Sequence, residues 1–262
     1  MDDHDPTAPY VQSLARGLAV IRAFDAEHPR MTLSELAVRT ELTRATARRF
    51  LHTLVDLGYV TTDGRTFQLT PRVLELGYSY LASLSLPELM QGPLEELSRQ
   101  TGESTSGSVL DGSDIVYIAR VPVRRIMAVS ITIGTRFPAS ATSMGRVLLA
   151  GRSDTWLDEH LTSSPAFTPR TQTDLPRLRE IIAEVRSQGW ALVDQELEGG
   201  LRSIAAPVRG ADGEVVAAVN IATTTSTVGT DRILGEFLPR LLVTAHAIGE
   251  SIVRSGSRPE RL

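Results

Sequence analysis

The sequence predicts an α+β protein in two parts: an N-terminal winged helix-turn-helix and a larger C-terminal domain built on an antiparallel sheet. Three observations point there. Three stretches with helical apolar spacing precede Gly58, and a short hairpin around Asp63-Gly64 follows at once. Beyond Pro87 the periods mix, with two-residue alternation in some stretches and helical spacing in others. The length of 262 residues exceeds one small module and suits two domains of ordinary size.

The elements follow in chain order. Val11–Phe24 places Leu14, Leu18 and Ile21 at helical spacing, with Val11 and Val20 beside them, and His28-Pro29 lies past its end. Thr32 with Glu35 three residues on is a capping box that opens a helix over Leu33–Arg39. After the turn Thr40-Glu41-Leu42, Thr43 caps a third helix running to about Leu57, with Ala47, Leu51, Leu54 and Val55 on one face and Gly58 as its stop. Tyr59–Thr62 and Thr66–Leu69 alternate apolar and polar residues around the turn. Pro71 opens a helix over Arg72–Leu84; its stripe of Val73, Leu74, Leu76, Gly77, Tyr80 and Leu81 suits either a dimer contact or packing on the chain's own second domain. Another helix covers Glu88–Thr101. Strands are expected at Thr105–Leu110, Ile115–Arg120, Met127–Ile133, Ala191–Asp194, Arg202–Pro207 and Val215–Ala222. Helices are expected at Ser143–Ala150, Asp154–His160, Leu175–Gln188 and Asp231–Val253. The domains are therefore 10–70, a linker helix 71–86, and 87–254.

Composition excludes much chemistry. Apolar residues make up 42% and charged residues 22%, enough for a buried core. There is no cysteine, hence no disulfide, thiolate metal site or cysteine nucleophile. There is no lysine either, so no P-loop lysine and no Schiff base. Met1–Tyr10 is acidic and lacks the apolar run of a secretory leader, and Val215–Ala222 is far short of a membrane span, so a soluble cytoplasmic protein is expected. His4, His28, His52, His160 and His246 do not pair at metal-ligand spacing, and Gly102–Gly107 is one residue too long for a nucleophile elbow. No catalytic residue, metal or cofactor is expected.

The third helix carries the chemistry of the first domain. Thr43, Arg44, Ala45, Thr46, Arg48 and Arg49 lie on its first turns, away from the apolar face, and Arg65 sits on the wing. Arginine serves both phosphate contact and bidentate guanine readout. The net charge is −4, yet Thr43–Arg72 holds five arginines against Asp56 and Asp63. A local basic surface on a helix-turn-helix predicts double-stranded DNA as partner. The plainer reading is a small bundle whose arginines are a solvated face.

In the second domain, a helix starting near Thr142–Gly145 among small residues leaves N–H groups suited to a carboxylate. Asn220 is polar inside the apolar run VVAAVNIA, so it needs a partner, either a ligand or a neighbouring loop. Arg136 and Arg202 either face an acid ligand or form internal ion pairs, with Asp194 and Glu196 as candidate partners.

Taken in order, these segments resemble the isocitrate lyase regulator (IclR) family over nearly the whole chain. The matching pieces are Ser13–Leu18; Thr43–Leu51; Gly134–Pro138 running into Thr142–Ala150; and Asp194-Gln195-Glu196 running into Gly200–Pro207. The resemblance implies a GAF-like effector domain and a homodimer or dimer of dimers. It implies an effector site at Ser143, Met144, Asp194, Glu196, Ser203, Asn220 and Ala222. The wording of Ser143–Ala150 and Asp194–Glu198 is similar to the subgroup controlling protocatechuate, 4-hydroxybenzoate and β-ketoadipate catabolism. A histidine or aromatic often stands where this chain has Ser140. The expected function is a transcriptional regulator responding to a small carboxylate. With 5% aromatic residues, a ring-stacking pocket is disfavoured, which tilts the expectation towards the acyclic diacid β-ketoadipate over protocatechuate. Two other readings are a small-molecule hydrolase or sensor enzyme with an accessory helical domain, and a winged helix that binds proteins.

Overall fold

The structure, a computed structural model, describes residues 10–76, 86–123 and 131–255. Its contacts divide the chain into two units, 1–80 and 81–262.

In the first unit, α1 (Gln12–Arg22) is followed by β1 (Met31–Thr32), α2 (Leu33–Arg39), α3 (Arg44–Asp56), β2 (Val60–Thr62) and β3 (Thr66–Leu69). The caps do what the sequence asks. The Thr32 hydroxyl accepts from the Glu35 N–H, and the Glu35 carboxylate accepts from the Thr32 N–H at 2.7 Å. The Thr43 hydroxyl accepts from the Thr46 N–H at 3.2 Å. The strands run in the order β1-β3-β2, so the two residues after Arg30 complete the wing as a third strand. At its tip the Thr66 and Arg65 N–H groups and the Thr66 hydroxyl hold the Asp63 carboxylate down to about 2, so it stays ionised. Val20, Leu36, Ala47, Leu51, Leu54 and Val60 form the core.

The apolar face of α1 differs from expectation. Val20 is buried, whereas Val11, Leu14 and Leu18 are exposed. Val20, Ala23 and Phe24 pack inward instead, and the Leu14–Leu18 row looks to solvent. Past the wing, Pro71–Val73 is a 3-10 turn. Arg72 donates to the Leu57 carbonyl at 2.9 Å, reaches Glu75 at 3.2 Å and lies over the Tyr59 ring. Residues 74–76 continue as helix with Leu74 and Leu76 exposed, and residues 77–84 of the expected linker helix lie outside the described residues.

The second unit is a six-stranded antiparallel sheet between two helical layers. It comprises α4 (Leu86–Thr101), β4 (Ser104–Asp111), β5 (Asp114–Val121), β6 (Arg136–Pro138), α5 (Ser143–Ala150), α6 (Asp154–His160), α7 (Leu175–Gln188), β7 (Ala191–Asp194), β8 (Leu201–Arg209), β9 (Val215–Thr224) and α8 (Leu238–Ser255). The strand order is β6-β5-β4-β9-β8-β7. Helices α4 and α8 cover one face, where Met90, Leu94, Leu241 and Ile248 meet Ile204, Ala206, Val219 and Ile221. Helices α5 to α7 cover the other, where Met144, Leu148, Leu157 and Ile182 meet Tyr117, Ala205 and Ala218. Alternation along β9 thus sends Ala217, Val219 and Ile221 one way and Ala218, Asn220 and Ala222 the other.

One strand falls elsewhere than expected. Of Met127–Ile133, residues 127–130 lie outside the described residues and Ile131–Ile133 are not in a strand. The edge strand is the three-residue β6, pairing Phe137 with Ile115. A 3-10 turn, Ala139–Ala141, joins it to α5, and the two lie so close that a Cβ at Gly145 would overlap the Ala139 carbonyl. Gly145→Ala is therefore expected to destabilise this unit by roughly 1–3 kcal/mol through overpacking, read as a lower midpoint in thermal unfolding.

Candidate functional site

Two surfaces carry the chemistry, one in each unit. On α3, Thr43, Arg44, Ala45, Arg48 and Arg49 are exposed and Thr46 is half-buried, while Ala47, Leu51 and Leu54 fix the opposite face in the core. Arg65 is exposed on the wing. Among the described residues no carboxylate lies within ion-pair distance of Arg44, Arg48, Arg49 or Arg65; Arg48 meets only His52, at 3.4 Å. Other arginines of this unit are engaged: Arg39 pairs with Asp25, and Arg72 turns back to Glu75. The sequence thus leaves four cationic groups unneutralised on one helix and its wing.

In the second unit a small cavity of about 30 Å³ lies between the sheet and the start of α5. Its lining includes Ser143, Met144, Ser203, Asn220 and Ala222 from the expected set, together with Tyr117, Arg120, Thr142 and Leu197. The Thr142 hydroxyl accepts from the Gly145 N–H at 3.1 Å, leaving the N–H groups of Ser143 and Met144 without an intrahelical acceptor. The Ser143 and Ser203 hydroxyls hydrogen-bond to each other at 2.5 Å. Burial pushes the Tyr117 phenol up to about 12, so it keeps its proton as a donor.

Arg120 is the residue that sequence reasoning missed. Strict alternation from Tyr117 sends position 120 to the other face of the sheet. A β-bulge intervenes: Ser108 pairs with Tyr117 but Gly107 with Ala119, so Ile118 is the extra residue. Arg120 is thereby turned onto the cavity face, opposite Ser106, whose hydroxyl accepts from its Nη1 at 3.2 Å. Burial lowers the pKa of its guanidinium, and among the described residues no carboxylate pairs with it. A half-buried cation without a counter-charge favours an anionic ligand.

Asp194 and Glu196 do not line this cavity. Asp194 accepts from Arg202 Nε at 2.8 Å and pairs with Arg170 at 3.2 Å; the Arg202 hydrogen bond holds its carboxyl below the usual range. Glu196 receives both arms of Arg146, at 2.8 and 2.6 Å, and the Gln172 N–H at 2.9 Å. The remaining Arg146 donor, Nε, goes to the Ser140 carbonyl. The Arg146 side chain is 3% exposed and that of Glu196 13%. This buried fork fixes the loop after β7, and Leu197 of that loop lines the cavity. Glu196 is thus a positioning residue rather than a ligand contact. Ser140 is buried outside the lining. Arg136 forms ion pairs with Asp111 and Asp114.

Comparison with known proteins agrees with this division. Residues 13–64 match the IclR helix-turn-helix domain. Residues 78–250 match the bacterial transcriptional regulator IclR C-terminal domain. The chain is 47% identical over 239 residues to the Pca regulon regulatory protein of Pseudomonas putida, covering 90% of this chain and 82% of that protein. It is 37% identical over 251 residues to the p-hydroxybenzoate hydroxylase transcriptional activator of Acinetobacter baylyi, covering 92% of each. A solved structure of a transcriptional regulator from Rhodococcus sp. RHA1 superposes with a TM-score of 0.83 at 59% identity, covering 92% of this chain and 98% of that one.

Proposed function

Because the chain belongs to the IclR family of bacterial transcriptional regulators, we propose that it switches genes of aromatic-acid catabolism in answer to a small carboxylate held beside α5. As a DNA-binding regulator it acts through α3 and the wing, with Arg44, Arg48, Arg49 and Arg65 as phosphate or guanine partners and Ala45 and Thr46 at base edges. The names of the relatives, which concern the Pca regulon and p-hydroxybenzoate hydroxylase, supply the metabolic setting. The matches are to regulators rather than to hydrolases. Among the described residues no helix is long and apolar enough to cross a membrane, and we place the protein's work in the cytoplasm.

The observation that carries the effector reading is Arg120. Its guanidinium, the Ser143 and Met144 N–H groups and the Ser143–Ser203 hydroxyl pair make a wall of donors in one cavity. A carboxylate meets that wall with charge-assisted hydrogen bonds. Calorimetric titration of the full chain with benzoate, 4-hydroxybenzoate, protocatechuate and β-ketoadipate tests it. At least one acid binds the wild type. Arg120→Ala weakens every acid that binds by about ten- to a hundredfold, and Ser203→Leu with Asn220→Leu fills the cavity and abolishes binding. Undiminished binding in the filled variant puts the effector elsewhere.

The working form is an even-numbered homo-oligomer, since paired winged helices double the half-sites read on the duplex. Light scattering at micromolar concentration is expected to give at least twice the 28.5 kDa chain mass. A monomer that stays monomeric with DNA contradicts this.

A further inference from the structure

The cavity read as the effector site is closed to every acid considered above. At about 30 Å³ it has room for about two waters, whereas a benzene-sized ring needs on the order of 150 Å³. A six-carbon diacid fits no better. An effector therefore enters only if the walls part.

Two side-chain hydrogen bonds among the described residues tie the first turn of α5 to the sheet. The Ser143 and Ser203 hydroxyls meet at 2.5 Å, and the Ser108 hydroxyl donates to Met144 Sδ at 3.3 Å. Only the first has both its members in the cavity lining. Ser143 is 1% exposed, and Ser203 stands on β8 in register with Ala222 of β9, which also lines the cavity. The bond thus runs from the helix start to the cavity floor, across the space that a ligand between them takes. One turn further along α5, the fork from Arg146 to Glu196 lies outside the lining and is charge-assisted on both arms. A neutral hydroxyl pair is the weaker tie, so it gives way first.

From this we propose that the Ser143–Ser203 pair is a latch: the cavity opens to its effector when the two hydroxyls separate and the start of α5 parts from β8. The inference rests on the reading of this cavity as the effector site and adds the step that admits the ligand. In the closed form each hydroxyl satisfies the other. In the open form both turn to the ligand carboxylate, which replaces the lost bond with charge-assisted ones. The ligand binds the open form alone, and that difference is what shifts the population. The measured affinity is the intrinsic affinity reduced by the fraction open, so the latch sets how much effector the regulator needs.

The chain has no cysteine, so Ser143→Cys with Ser203→Cys introduces its only thiols. The approach of the two oxygens places the pair within reach of a disulfide, which ties the latch shut until a reductant is added. Calorimetric titration of the full chain uses whichever of benzoate, 4-hydroxybenzoate, protocatechuate and β-ketoadipate binds the wild type most tightly. The oxidised double variant is expected to lose at least about a hundredfold in affinity, and dithiothreitol to restore it to within about tenfold of wild type. Equal binding by the oxidised and reduced forms shows that the walls need not part there; it overturns the latch while the carboxylate reading stands. A pair that fails to oxidise, read by thiol titration, is not in contact in solution and overturns the latch too. Where the reduced variant also fails to bind, Ser203→Ala decides. It leaves Ser143 Oγ unpaired in the closed form, so stopped-flow mixing is expected to show association at least about threefold faster than wild type. Unchanged or slower association contradicts the latch. If the wild type binds no acid at millimolar concentration, the latch and the effector reading fail together.

Discussion

Replacing Arg44, Arg48 and Arg49 together by alanine is expected to cost at least about a hundredfold in affinity for operator DNA, roughly 3 kcal/mol or more. The figure follows from their placement. All three are exposed on the first turns of α3, and none is neutralised by a carboxylate among the described residues. A bidentate guanine contact is worth about 1–3 kcal/mol, and each phosphate neutralised by an arginine adds about 0.9 to the salt slope. Anisotropy titrations of a labelled duplex at several salt concentrations separate these contributions. Removing an arginine that holds phosphate flattens the salt dependence for every sequence, whereas removing one that reads a guanine weakens only the specific site. The fold is expected to survive, since exposed substitutions change stability by about 0.5 kcal/mol or less. Unchanged affinity in the triple variant would rule out this face as the DNA surface.

The second large effect concerns the fork between Arg146 and Glu196. Arg146→Ala leaves the Glu196 carboxylate, 13% exposed, facing the Gln172 N–H without its cation. Removing one partner of a buried pair costs about 3–5 kcal/mol. For a unit of this size that lowers the thermal midpoint by roughly 10 °C. Arg146→Lys keeps the charge but not the second arm, so an intermediate loss is expected. Because the fork holds the loop that carries Leu197, the variant also weakens effector binding more than it weakens DNA binding. Differential scanning calorimetry together with effector titration reads both. A midpoint within about 2 °C of wild type would show that the fork does not hold that loop.

How much of this was legible in the sequence depended on the range of the interaction. The helices of the first unit announce themselves because their caps are local: Thr32 finds Glu35 and Thr43 finds Thr46, each three residues away. Asn220 was legible for a similar reason. A polar residue interrupting an apolar strand declares a buried need, and the period of two says which face it shares. Arg120 was not, because its face depends on the bulge at Ile118, and a bulge exists only once β4 and β5 have paired. The internal pair of Arg202 with Asp194 was among the sequence's open readings and is present, whereas the partner of Glu196 was not legible. Arg202 lies only 8 positions from Asp194, across one strand pair, but Arg146 lies 50 from Glu196. No local rule chooses that fork over a ligand contact. The outward turn of Leu14 and Leu18 is of the same kind, since helical spacing identifies an apolar row but not which side of it the core adopts.

On the proposed function, one cavity ligand biases DNA reading by this chain. Anisotropy titration of the full chain on duplex DNA from upstream of its own gene, with and without saturating 4-hydroxybenzoate, tests it most directly. The expected result is binding that weakens steeply with salt and shifts by about fivefold or more on adding the acid, with the shift abolished in Ser203→Leu with Asn220→Leu while its DNA affinity without ligand is kept. DNA affinity that ignores salt, or that stays fixed when calorimetry shows the acid bound, would contradict it.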